Sequence, residues 1–457
     1  MKRIFTLIQL IVVTYLQSLA QQAPDQKKLT QYLEIQNQRI GFSGTVSISR
    51  DGTPILNASV GMSSIEHDVP VSNKTVFPVA SISKSFTATL VLLAVAEEKL
   101  RLSDSLAIFF PQLVDPWWRS ITIEQLLSHR SGIPHNDGIE DYWKEKFTVS
   151  FARIPAMKEM FSLKLESMPG SQAKYSSPGY FMLASILENL YNKDYRALLS
   201  EKISIPLRLT KTGQMDNKTI IADIATGYLQ DPDQIRIAPY RSYSLMKGSG
   251  DMYTSAADLI KFLDSFEDQK WLNSLEKELF IAHSNQPVAR GDHYGYGWFI
   301  RQASTAHPKA YYHGGGSFGV SALMARYPQE KLSIVILSNV SVLPVNEIWS
   351  DIEKICLNKP FALPVIRNSR PITAKMIDQH SGIYATADGM QLQVFSAEGK
   401  LYAKLGNHSP FELFQEQPLN FYGKKVSIEL IFDVAASGKS NTIKATGMGQ
   451  RYTFTRK

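Results

Sequence analysis

Ser81 and Lys84 stand three positions apart in Ser81-Ile82-Ser83-Lys84, just ahead of an apolar run from Phe86 to Ala96 that holds neither Gly nor Pro. On a helix, residues three apart share a face, so a hydroxyl and an amine meet there. A serine hydroxyl becomes a nucleophile when a neighbour takes its proton, and a lysine takes it when burial or nearby cations lower its pKa. A helix N-terminus also favours negative charge developing beside it. Taken alone, the same pattern describes a helix cap next to a solvated lysine. Tyr175 and Ser177 form a second group, two apart beyond the Met168-Pro169-Gly170 turn. They either face one space or leave the tyrosine merely packed. A third group is His313-Gly314-Gly315-Gly316, whose glycines let backbone approach a ligand closely.

Other patterns carry less. His129, His135 and Asp137 have no helical or strand spacing that would align them on a metal. Gly315-Gly316-Ser317-Phe318-Gly319 spells the nucleophile elbow of α/β-hydrolases, and His313 to Gly316 a lipase-like oxyanion motif. An elbow serine must sit between a strand and a helix, whereas residues 320 to 339 read as strands. Lys211-Thr212-Gly213 follows what reads as a helix exit rather than a pocket strand.

Several elements must position these residues. The apolar run after Ser81 reads as a helix buried on every side. Phe42–Ser49 and Pro54–Val60 read as a strand pair joined at Asp51-Gly52. Trp143–Leu163 reads as helical, and Phe181–Leu190 as a second buried helix. Thr254 or Ser255 caps a helix running to Phe266. Tyr294–Ile300, Ala310–His313, Val320–Tyr327 and Leu332–Asn339 read as an antiparallel meander. Residues 361–372 form a linker. Beyond it, short alternating stretches (Gln391–Phe395, Leu401–Leu405, Val426–Phe432, Arg451–Phe454) predict a small all-β domain over 373–457.

At 457 residues with 44% apolar and 20% charged composition, the chain can bury at least one large core. Lys2 and Arg3, the apolar run Ile4–Leu16 and Ser18-Leu19-Ala20 predict a secretory signal over residues 1–20, cleaved after Ala20. That implies a secreted or periplasmic protein with no integral membrane span. The formal charge of +7 comes from scattered Lys and Arg, which argues against nucleic-acid binding. Cys356 stands alone, so no internal disulfide forms.

Ser81-Ile82-Ser83-Lys84, Tyr175-Ser176-Ser177 and His313-Gly314-Gly315, in that order and at those separations, resemble the serine β-lactamase and penicillin-binding-protein family. The resemblance is to the branch holding class C β-lactamases, DD-carboxypeptidases, D-aminopeptidases and related esterases, and spans most of residues 30 to 355. It implies an α+β, β-lactamase/transpeptidase-like fold over residues 25–360: an antiparallel sheet flanked by helices, plus a helical subdomain. The C-terminal domain resembles the lipocalin-like barrel some relatives carry, a cover for the pocket, a partner site or a plain stabiliser.

The resemblance also implies roles. Ser81 attacks a carbonyl, Lys84 eases its deprotonation, and Tyr175 relays protons to and from the leaving group. Lys84 and His313 would supply the field that keeps the tyrosine acidic. Backbone N–H groups of Ser81 and Gly316 form the oxyanion hole, and Ser177, His313, Gly314 and Gly315 contact substrate. Ser177 stands where many members have Asn, and His313 where the β-lactamases have Lys, a weaker positive charge for a substrate carboxylate. The expectation is an exported acyl-enzyme hydrolase acting on D-amino-acid peptides, with esters and β-lactams as lesser substrates and no cofactor. The alternatives are a carboxylesterase and a non-catalytic protein that captures wall peptides or antibiotics.

Overall fold

The computed structural model describes residues 24–230, 234–267, 283–289, 292–424, 426, 428–447 and 450–457. The expected signal segment, residues 1–20, lies outside them. The chain divides into two compact units, one of residues up to 33 with 43–230 and 235–361, the other of 34–42, 231–234 and 362–457.

In the first unit an eight-stranded sheet runs in the order 283–289, 292–295, 299–301, 310–317, 320–327, 332–338, 44–50 and 53–60. Every neighbouring pair is antiparallel. The first hairpin thus pairs with the last strand, Gly44 opposite Ser338. Val320–Tyr327 and Leu332–Ser338 are buried at every position, so both sheet faces are covered. The Ala256–Asp264 and Val345–Cys356 helices pack on these strands.

The Ser83–Ala96 helix is buried over most of its length, as its lack of an apolar stripe requires. It packs against the Ser177–Tyr191 helix, and Phe86 stacks on Phe262 at 4.0 Å. A three-stranded sheet of Phe77–Pro78, Met252–Thr254 and Gly213–Gln214 ties the approach to Ser81 to the Gly248–Asp251 loop. The literal Lys-Thr-Gly run therefore leads into this small sheet and does not line the cavity at Ser81.

Three local expectations need correction. Tyr294–Ile300 is not one strand but two, Asp292–Gly295 and Phe299–Arg301, reversed at Gly297. Gly297 has φ +86°, and a Cβ there would lie 2.6 Å from that of Ala88, so only glycine lets this turn sit on the helix. Trp143–Leu163 is a π-helical turn at Tyr142–Lys146 followed, after a gap, by a helix only at Arg153–Phe161. The second buried helix starts at Ser177, not Phe181: Ser176 caps it by accepting from the Gly179 N–H at 3.1 Å, with Pro178 in the first turn.

The second unit is a closed eight-stranded barrel in simple meander order, from Gly382–Ala385 to Gln450–Arg456. Closure pairs Tyr384 with Arg456. Leu392, Val394, Leu401, Leu413, Phe421, Leu430, Phe432, Ile443 and Phe454 are buried within it, the filling an eight-stranded barrel of this size accommodates. His380, at the end of the Ala374–His380 helix, packs on Phe432 at 4.4 Å and pairs through Nδ1 with Ser440 Oγ at 2.7 Å.

Candidate functional site

Ser81 sits in a single 3-10 turn, Ala80–Ile82, that feeds the Ser83–Ala96 helix. Ala80 just before it has φ +44°, a left-handed conformation that costs a non-glycine residue energy and that packing must impose. The packing is visible. Ser83 Oγ donates to Ala80 O at 2.6 Å and accepts from the Met252 N–H at 3.1 Å. Thr87 Oγ1 donates to Gly248 O at 2.5 Å, and Ser85 Oγ to Gly297 O at 2.6 Å. The hydroxyls that interrupt the apolar run are therefore anchors for two glycine turns.

Lys84 is fully buried. Its Nζ lies 3.2 Å from Ser81 Oγ, 3.0 Å from Ser177 Oγ and 2.7 Å from Ser249 O. No carboxylate pairs with it among the described residues. Burial, with the Arg241 guanidinium adding to it and Asp251 opposing, holds the amine well below the usual lysine range. Asp251 is itself buried under this loop, accepting from Gln214 Nε2 at 2.7 Å and the Gly248 N–H at 2.9 Å. Burial raises its carboxyl to about 7.

Lys84 Nζ stands 4.8 Å over the Tyr175 ring, and the Ser81 hydroxyl acts on the Tyr175 phenol. The two histidines once imaginable as metal ligands hold this segment instead. His129 Nδ1 accepts from the Ser176 N–H and His135 Nδ1 from the Ser177 N–H, each at 3.1 Å. Accepting there puts the ring proton on Nε2 in the neutral form. Burial lowers both rings, His135 to about 4 and His129 well below the ordinary imidazole range. Ser176 Oγ donates to Pro134 O at 3.0 Å, fastening the two loops. Nothing in the sequence signalled this use, because the partners lie more than forty residues apart.

The Ala310–Ser317 strand brings the third motif against the Ser81 turn: a Cβ on Gly315 would lie 2.1 Å from Val79 O. Ser81, Ser177, Gly314, Gly315 and Gly316 line one cavity of about 590 Å³, together with Asn136, Trp143, Arg241, Met246 and Phe318. His313 does not line it. It is 1% exposed, contacts Gly314 O through Nδ1 at 2.7 Å and meets the Tyr294 hydroxyl through Nε2 at 3.0 Å. Burial lowers His313 to about 3.

Two expectations are corrected here. His313 is no cation for a substrate carboxylate, and it cannot help keep Tyr175 acidic. Burial instead raises the Tyr175 phenol above its ordinary range, eased only by the Ser81 hydroxyl, so it is a protonated phenol at neutral pH. Ser317, the false elbow serine, ends a strand that turns into another strand, and its hydroxyl accepts from Arg241.

These burials set a pH dependence. His129, His135 and His313 are neutral when folded but titrate near 6.5 when unfolded. The unfolded chain binds more protons between about pH 4 and 6.5, so stability is lost as pH falls through that window. Asp251 has the opposite sign, since the folded state holds its proton up to about 7. His380, which burial also lowers to about 4, adds to the three site histidines against Asp251, so the melting temperature rises from pH 4 to 6.5 in thermal scans. A falling melting temperature there would mean the histidines are charged in the folded protein.

An antiparallel sheet covered by helices, with serine, lysine and tyrosine converging beside a glycine strand, defines a serine hydrolase of the β-lactamase/DD-peptidase type. The Beta-lactamase family model matches residues 19–350, and the chain belongs to that family. Penicillin-binding protein 4* of Bacillus subtilis is 25% identical over 442 residues, covering 91% of this chain and 96% of its own. The teichoic acid D-alanine hydrolase of Staphylococcus aureus is 24% identical over 345 residues, covering 74% and 80%. Two solved structures share the fold. The octameric penicillin-binding protein homologue from Pyrococcus abyssi has TM-score 0.66 at 22% identity, over 94% of this chain and 99% of that one. The D-amino acid amidase from Ochrobactrum anthropi SV3 has TM-score 0.64 at 21% identity, over 73% and 98%.

Proposed function

We propose that Ser81 is the nucleophile of an acyl-enzyme hydrolase acting on D-amino-acid peptides. The observation that carries this is Lys84, buried without a carboxylate and held within 3.2 Å of Ser81 Oγ. In the reacting state the amine is neutral: its N–H groups donate to Ser249 O and Ser177 Oγ, which leaves a lone pair to accept from Ser81 Oγ, 3.2 Å away. Lys84 takes the Ser81 proton as Oγ bonds to the substrate carbonyl carbon. The oxyanion that forms accepts from the N–H groups of Ser81 and Gly316. As the carbonyl re-forms, the bond to the leaving group breaks and Tyr175, a phenol, protonates the departing atom. The proton on Lys84 then returns to Tyr175. In the second half Lys84 takes a proton from water, hydroxide attacks the ester carbon, and Ser81 leaves with that proton.

The D-amino-acid preference draws on the relatives, a penicillin-binding protein and a D-alanine hydrolase by name, and export draws on the leader at residues 1–20. Among the described residues no helix is long and apolar enough to cross a membrane. The test is exposure of the protein to a fluorophosphonate and, separately, to a penicillin, with intact mass followed over time and the adduct located by peptide mapping. A single adduct on the Ser81 peptide is expected from the fluorophosphonate, with a penicilloyl adduct that decays slowly. Absence of any adduct on Ser81 would overturn the proposal in favour of non-catalytic capture.

A further inference from the structure

With His313 neutral and turned into the protein, the cavity needs another means of choosing its substrate. Among its described lining residues there is no Asp or Glu, and one charged group, Arg241. The other ionisable lining group besides Ser81 is His135, which burial lowers to about 4 and leaves neutral. Arg241 is half-buried and pairs with no carboxylate among the described residues. Its side-chain bonds all go to neutral groups: Nη1 to Ser317 Oγ, and Nη2 to Tyr142 Oη at 2.9 Å and Met246 Sδ at 3.3 Å. Nε has no partner at all. The guanidinium also leans on the Trp143 ring, 6.0 Å from its centre. A guanidinium withdrawn from water without a counter-charge is costly, and its planar fork matches a carboxylate.

We propose that Arg241 is the carboxylate-recognising group of this cavity, so that the substrates are acyl donors carrying a free carboxylate, peptides ending in a D-residue above all. This rests on the acyl-enzyme reading at Ser81 and sharpens it. Ser317, to which Arg241 is tied, directly follows Gly316, so a carboxylate on Arg241 lies next to the strand end that serves the oxyanion. D-amino-acid amides and aminoacyl esters bring an ammonium instead, and meet a guanidinium with no carboxylate to hold them. The cavity therefore selects carboxypeptidase over aminopeptidase or amidase chemistry.

The probes are N-acetyl-D-alanyl-D-alanine, its C-terminal amide, and D-alaninamide. Wild type is expected to prefer the free acid over its amide by about 10- to 100-fold in kcat/KM, the range of a charged hydrogen bond. Arg241→Gln brings that ratio to about one, while Arg241→Lys, which keeps the charge without the fork, retains part of it. A second measurement needs no turnover: calorimetric titration of a Ser81→Ala protein, in which the acid binds more tightly than the amide, and of Ser81→Ala/Arg241→Gln, in which the difference vanishes. An unchanged acid-to-amide ratio in both Arg241 variants, or a wild type that favours D-alaninamide, overturns the proposal. If fluorophosphonate fails to label Ser81, the hydrolase reading fails, and the titration still decides the role of Arg241.

Discussion

Lys84→Met lowers kcat/KM by roughly 10²- to 10⁴-fold, the share that positioned proton transfer contributes, and leaves the protein folded. The two effects separate because the lysine is buried and uncompensated. Methionine fills a comparable volume and removes an amine that burial already disfavours. The loss falls on Ser249 O and Ser177 Oγ, each deprived of one donor, and on Ser81 Oγ, which loses its partner at 3.2 Å. Fluorophosphonate labelling slows by a similar factor, since Ser81 loses its proton acceptor whatever the acyl group. In the wild type, kcat/KM climbs with pH as Lys84 gives up its proton, and that limb lies well below the usual lysine range. The alkaline limb belongs to the Tyr175 phenol, raised above its ordinary value by burial. Lys84→Met abolishes the acidic limb. A variant that keeps more than about a tenth of wild-type kcat/KM would assign proton transfer elsewhere.

How far the sequence reaches follows from what each residue depends on. Ser81 and Lys84 are neighbours through local helical geometry, so their spacing alone places the hydroxyl beside the amine. The alternating stretches of residues 391–454 depend on a period of two, and the barrel follows from them. His313 is different. Its motif position is legible, but its charge depends on burial that no local pattern records, and its Nε2 meets Tyr294, nineteen residues away. The same holds for His129 and His135, whose partners are backbone N–H groups of a distant helix start. That helix start was itself legible in part: Ser176-Ser177-Pro178 is a cap followed by a first-turn proline. Arg241 carries no motif at all. Its reach into the cavity depends on Tyr142 and Ser317, one far upstream and one far downstream.

Gly315→Ala damages both activity and stability, and its contrast with Gly316→Ala isolates the cause. A Cβ at position 315 would lie 2.1 Å from the carbonyl oxygen of Val79 and 3.1 Å from its carbon. Backbone cannot swing aside as a side-chain tip does, so the strand and the turn must part. That carbonyl accepts from the Ile82 N–H at 3.2 Å and so belongs to the turn that carries Ser81. Overpacking of this kind costs about 1–3 kcal/mol, visible as a drop of several degrees in melting temperature. The larger effect is on rate. The two proposed oxyanion donors are the N–H of Ser81 on the turn and that of Gly316 on the strand, so parting turn from strand separates them. Losing one such donor, or misplacing it by about 1 Å, costs roughly 10²-fold or more in kcat. At Gly316 a Cβ meets nothing within 4 Å, so Gly316→Ala keeps the wild-type melting temperature and its N–H. Its penalty falls on KM, through the methyl group in the cavity. Equal kinetics and equal melting for Gly315→Ala and wild type would mean that the contact of strand and turn does not hold the two donors together.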